Sequence, residues 1–192
     1  PMSADLCFTN GPILTLDATD PVLEDGYLTV TDGIISETGV NPRGRTLAGS
    51  ARETVDLGGK LLMPGLKNAH THAFTTLFRG LGCVPSPATL AAELGAEALQ
   101  NWVYWGTKLA CLEMILSGTT GFCDVSPCAD AVARAADEAG LRAVAAQLVP
   151  GPGSCENDTN AVDPDSLGND ITGWAAHRRV SMAIAPDLAG GG

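Results

Sequence analysis

The sequence predicts an α/β protein in which a small β-sheet precedes parallel strands joined by helical crossovers. Three observations carry that expectation: turn-punctuated β-prone runs up to about Asp56, a change near Lys60 to strand followed by helix, and a strongly apolar helix opening near Asn101. With 192 residues, 45% hydrophobic and 17% charged, the chain can bury a sizeable core, which excludes disorder as its overall state.

The first part reads as a small antiparallel sheet. Its β-prone runs are Leu6 to Thr9, Ile13 to Leu16, Tyr27 to Val30 and Ile34 to Ser36. Asn10-Gly11 and Asp32-Gly33 lie between such runs and favour tight hairpins, because both dipeptides tolerate positive φ. From Leu61 an apolar strand leads into His70-Thr71-His72. Asn101 is a plausible helix cap, and Trp102, Trp105, Leu109, Leu112 and Leu116 recur on one helical face that is expected to pack on a sheet before Ser117-Gly118 ends it. Further strands are expected at Thr120 to Val125, Ala143 to Val149 and Val180 to Ala185, with a helix at Ala129 to Ala139 closed by Gly140. Between the last two strands, Pro150 to Gly168 is rich in Pro, Gly, Asn and Asp and reads as a solvated loop; its acidic residues lack the spacing of a calcium-binding hand. The division expected from this pattern is 1–59 and 60–192.

Charge narrows the partners. Twenty-two acidic against eleven basic residues give a formal net charge of -11, which repels a phosphate backbone, so no nucleic-acid partner is expected. The opening Pro1-Met2-Ser3-Ala4-Asp5 lacks the pattern of a secretory signal and no apolar run is long enough to span a bilayer. Six scattered cysteines without a Cys-x-x-Cys pair read as reduced thiols. Together these give a cytoplasmic protein with no membrane association.

The residues with the most chemical content are His70 and His72. Side chains i and i+2 of a strand share a face, so both imidazoles can converge on one point where the strand gives way to a loop. Two neutral imidazoles suit zinc or a similar divalent ion at about 2.0–2.1 Å, with further ligands needed from elsewhere. Taken alone, His-x-His more often marks surface or hydrogen-bonded loop histidines than a metal pair.

Context extends the reading. The run Leu62-Met63-Pro64-Gly65-Leu66-Lys67-Asn68-Ala69-His70-Thr71-His72, followed by Leu77-Phe78-Arg79-Gly80, resembles the first barrel strand of the amidohydrolase superfamily, in its aminohydrolase and chlorohydrolase branch. Asn10-Gly11 to Asp17, Asp32-Gly33-Ile34-Ile35 and Leu112-Glu113-Met114 with Ser117-Gly118-Thr119-Thr120 fit the same branch. The resemblance implies a partial TIM-type (β/α) barrel, about the first four βα units, preceded by strands of a small β-sandwich. It also implies one divalent metal, zinc or alternatively iron, held in part by His70 and His72. The bound water would attack a C-N or C-Cl carbon of a small heterocyclic substrate, its pKa lowered towards about 7. Catalytic groups of such barrels sit after the carboxyl ends of strands, where both histidines fall.

Other residues are weighed against this frame. Arg79 could contact substrate or anchor the helix after the metal loop, and Glu113 reads as an outward or paired group. Asp124 ends a strand at the same mouth, with a hydrogen bond to a neighbouring loop as its default role. His177 precedes a strand, which points it away from that mouth. Ala185-Pro186-Asp187-Leu188 resembles a strand end where relatives show Pro-His and use the histidine on the substrate; here Asp187 stands instead, so that contact is lost or changed. The family's third metal histidine, proton-shuttling glutamate, further histidine and metal-associated aspartate have no matching positions. Eight βα units need about 250 residues, so at most half a barrel is expected, with an exposed edge that favours oligomerisation or association. The same facts leave open a catalytically inactive truncated product or pseudoenzyme acting through association. They also leave open a structural metal site in an unrelated α/β protein, with Cys83, Cys123 or Asp124 as added ligands.

Overall fold

The computed structural model describes residues 4–82, 89, 92–93, 95–149 and 164–186. They form two compact units, Pro1–Pro64 and Gly65–Gly192.

The first unit is a four-stranded sheet of order β3-β2-β1-β4. Strand β1 (Leu6–Leu14) buries Cys7, Thr9, Gly11 and Ile13 on alternate positions, the period of a strand with one covered face. Asn10-Gly11 does not turn the chain. Asn10 takes φ 66° inside β1, and the pairing with β2 (Val22–Thr31) shifts register between Phe8 and Gly11, so the dipeptide makes a bulge. A side chain at Gly11 would meet the Lys60 carbonyl oxygen at 2.6 Å, so the bulge coincides with close chain approach. Asp32 (φ 53°) and Gly33 (φ 74°) do form the hairpin turn into β3 (Ile34–Val40). Helix α1 (Arg43–Ala48) then leads to β4 (Glu53–Asp56), which pairs parallel to β1 and makes the sheet mixed where a purely antiparallel one was expected. Ile13, Leu23 and Leu57 form its core, with Phe8, Leu28 and Leu62 against them.

The second unit is a wholly parallel sheet of order β5-β6-β7-β8: Leu66–Thr71, Thr119–Ser126, Arg142–Val149 and Val180–Pro186. A 3₁₀ helix (Ala73–Phe78) follows β5, and α2 (Ala96–Leu116) leads into β6. Helix α3 (Ala129–Glu138) links β6 to β7, and α4 (Pro164–Trp174) precedes β8, so the last five residues of the expected loop are helical. Phe74, Val103, Phe122, Val132, Ala143 and Val180 share the core on one sheet face. Alanines 131, 133, 135 and 136 are buried and let α3 lie close to the strands. Among the described residues no helix is long and apolar enough to cross a membrane.

Helix α2 departs from expectation in start and orientation. It begins five residues before Asn101, after Gly95, and buries Leu99, Val103, Gly106, Thr107, Ala110 and Cys111. The larger stripe faces outward, Trp105 being 62% and Leu116 79% exposed. Size decides the orientation: a Cβ on Gly106 would sit 2.6 Å from the Phe74 carbonyl oxygen, so only the small-residue stripe lets α2 touch the 3₁₀ helix. Trp102 lies at the border of the stripes, stacked on Phe78 at 5.1 Å between ring centres.

Candidate metal centre

Strand β5 ends at Thr71, whose register partner on β6 is Asp124. The imidazoles of His70 and His72 stand edge to face, ring centres 4.9 Å apart, both exposed at the carboxyl end of the sheet. The His72 ring donates from Nδ1 to the Val125 carbonyl oxygen at 2.7 Å. That bond fixes the tautomer and leaves Nε2 with its lone pair, the arrangement in which an imidazole serves as a ligand. The His72 carbonyl accepts from the Thr75 amide at 2.9 Å and the Thr75 hydroxyl at 2.7 Å.

One residue further, the Ala73 amide donates to Asp124 Oδ2 at 2.6 Å. Asp124 is fully buried, and burial pushes its carboxyl up to about 6 against the opposing pull of the Ala73 amide and of His72. The next loop repeats the device: Gln147 on β7 accepts the Ala129 amide at 3.0 Å and donates to the Pro127 carbonyl at 2.7 Å. Ala73 and Ala129 are each the first residue of a helix whose own cap position, His72 or Cys128, supplies no side-chain bond. The neighbouring strand therefore provides the cap in both cases.

The donor pair fits a divalent ion with nitrogen preference, zinc or iron, since two imidazole rings share one mouth and one has its Nδ1 committed to a carbonyl. Among the described residues no third His, Cys, Asp or Glu joins them in a ligand group. Arg79, at the end of the 3₁₀ helix, donates both terminal nitrogens to Glu113 of α2 at 2.8 Å each, and this holds the Glu113 carboxyl below its usual range. His177 accepts the Val180 amide at 3.1 Å and faces Asp137 at 3.2 Å, where β8 begins and so at the opposite end of the sheet from His72. Asp187 and Cys83 lie outside the described residues.

A family model for the amidohydrolase family matches residues 61–189. The chain belongs to that family. A relative of this amidohydrolase chain is the 5-methylthioadenosine/S-adenosylhomocysteine deaminase of Syntrophobacter fumaroxidans, 44% identical over 95% of this chain and 42% of its own length. A 5'-deoxyadenosine deaminase of Methanosarcina acetivorans is 39% identical over 73% of this chain and 32% of its own. Among solved structures, a zinc-bound adenosine deaminase of Xanthomonas campestris superposes with TM-score 0.75 at 28% identity, covering 95% of this chain and 43% of that one. The zinc complex of an atrazine chlorohydrolase from Arthrobacter aurescens shares the fold at TM-score 0.68 and 20% identity, covering 94% of this chain and 46% of that one. The fold is thus a partial (β/α) barrel preceded by strands of a β-sandwich. This amidohydrolase chain spans under half the length of the relatives it matches.

Spacing in the sequence anticipated the convergence of the His70 and His72 rings and the mouth position of Asp124. It missed the Val125 carbonyl, which carries no side-chain signal, and Gln147, whose role depends on the β6–β7 register.

Proposed function

We propose that the protein to which this sequence belongs hydrolyses an exocyclic C-N bond on a small heterocycle, with His70 and His72 supplying two ligands to one divalent metal, zinc in preference to iron. The observation that carries this reading is the His72 Nδ1–Val125 bond, which leaves Nε2 free beside the His70 ring. When bound, such an ion supplies a water acidified to a pKa of about 7, a nucleophile at neutral pH.

The chain's own residues orient. Val125 and Ala73 fix the His72 ring and backbone, Asp124 and Gln147 hold two loops at the mouth, and Arg79 ties the 3₁₀ helix to α2. Deamination is favoured over dechlorination because the adenosine-type deaminases named above are the relatives with the higher identity. The substrate class is then an aminated purine nucleoside or similar ring. Proton transfer falls to residues beyond those described, and Asp187 is assigned to the substrate side. Among the described residues, Cys7, Cys111, Cys123 and Cys128 are unbridged, which supports a reducing, cytoplasmic compartment. The outer strands β5 and β8 support association with further polypeptide at the sheet edges.

The test is zinc uptake by the protein and by the double variant His70→Ala/His72→Ala, with ammonia release from aminated purines measured on the same preparations. Stoichiometric uptake lost in the double variant is expected, with helix content unchanged. Equal uptake by both proteins would remove the histidines from the metal site.

A further inference from the structure

Asp124 is buried completely although one oxygen, Oδ1, meets no hydrogen-bond donor among the described residues. A residue needed there only for packing would be apolar, because a buried carboxylate with one hydrogen bond carries a desolvation cost that an apolar side chain of similar shape does not. The single bond it makes is therefore informative. It runs from Ala73, the residue after His72, to Oδ2 at 2.6 Å. The adjacent residue of the same strand, Val125, receives the His72 ring at 2.7 Å. Two consecutive residues of β6 thus grip two consecutive residues of the loop, one through backbone to ring and the other through side chain to backbone.

The grip has a third side. The Gly106 backbone of α2 lies so close to Phe74 that a Cβ there would meet its Cα at 2.7 Å. Thr107, next along α2, is also buried, with its hydroxyl unpaired among the described residues. The loop is thereby confined between β6 and α2 and has no local cap of its own. Removing the Ala73 anchor would leave the ring contact as the tie from β6 to His72, beside the local bonds from Thr75 to the His72 carbonyl.

We propose that Asp124 is a positioning residue for the metal centre: by anchoring the Ala73 amide it holds His72 where its ring reaches the Val125 carbonyl, and so sets which imidazole nitrogen faces the ion. This rests on the metal reading for its purpose, and its geometric content is measurable without metal.

The experiment compares the full chain with Asp124→Asn, which keeps an acceptor oxygen, and Asp124→Leu, which has similar volume and none. In metal-free protein, long-range ¹H–¹⁵N spectra report the His72 tautomer, and hydrogen exchange reports the Ala73 amide. Wild type and D124N should show one tautomer, protonated at Nδ1, and a protected Ala73 amide. D124L should give mixed tautomers, exchange at Ala73 at least about tenfold faster, and zinc affinity about 10–100-fold weaker, the loss typical when a partner of a metal-ligating histidine is removed. D124N should bind zinc within about threefold of wild type on the same reasoning. If D124L does not fold, Asp124→Ser, too short to reach the amide, replaces it with the same expectations. A leucine or serine variant with the wild-type tautomer and wild-type Ala73 exchange would overturn the proposal. Wild-type protein that takes up no zinc, or takes it up without the two histidines, would instead overturn the metal reading, while the tautomer and exchange data still decide the role of Asp124.

Discussion

Replacing Gly106 by alanine should destabilise the protein, although helix propensity alone argues the reverse. Alanine is favoured over glycine inside a helix by about 1 kcal/mol. At position 106, however, the added Cβ would lie 2.6 Å from the Phe74 carbonyl oxygen and 2.7 Å from its Cα. These separations are about 1 Å inside ordinary contact distance. The obstacle is backbone, which cannot rotate aside, so α2 or the 3₁₀ helix must shift. Overpacking of this kind costs about 1–3 kcal/mol, and a backbone obstacle belongs at the upper end. Subtracting the propensity gain leaves a net loss of about 2 kcal/mol, or roughly 4–8 °C in Tm for a chain of this size. Gly168 provides the comparison: it lies exposed in α4, and a methyl group added there would meet nothing within 4 Å, so Gly168→Ala should gain about 0.5–1 kcal/mol. Urea unfolding of the three proteins, analysed with a common slope, measures both signs. A G106A protein as stable as wild type would refute the claim that glycine is what admits α2 to the loop.

Three further outcomes are expected. Burial raises the thiols of Cys111 and Cys128 from 9.0 to about 11. At pH 8 in the folded protein both should therefore react with iodoacetamide about a hundredfold more slowly than an ordinary thiol, as peptide mass spectrometry would show. Because both folded values exceed the unfolded value, their contribution to stability is complete below pH 9 and is lost as pH rises through about 11; urea midpoints that stay level over that window would contradict the assignment. Gln147→Leu should cost about 1–3 kcal/mol, since it strips the buried Ala129 amide of its partner, and hydrogen exchange should quicken at the start of α3; an unchanged exchange rate there would show the cap to be dispensable.

Much of the fold was legible because periodicity and turn chemistry act locally. The parallel strands, the Ala129 helix and the Asp32-Gly33 hairpin follow from such signals. The failures share a cause, which is that close approach between elements overrode local pattern. Asn10-Gly11 has the chemistry of a hairpin turn, but both residues are drawn into β1 as a bulge packed against the 57–60 segment. On α2 the larger apolar stripe lost to the smaller one because only small residues admit the Phe74 backbone. At the site, the convergence of His70 and His72 was legible from spacing, whereas the bonds that orient the His72 ring and the loop after it come from β6, some fifty positions away, and depend on register.

The partner of the His72 ring is a main-chain oxygen, and this separates the importance of position 125 from its identity. Any residue that sustains β6 presents the same carbonyl, so a side-chain scan would score Val125 as freely replaceable. The role becomes visible only when the acceptor atom itself is weakened, for instance by an ester linkage between residues 125 and 126. In that sense the choice of which imidazole nitrogen stays unbonded is stored in how two strands are aligned, and it is inherited with the sheet.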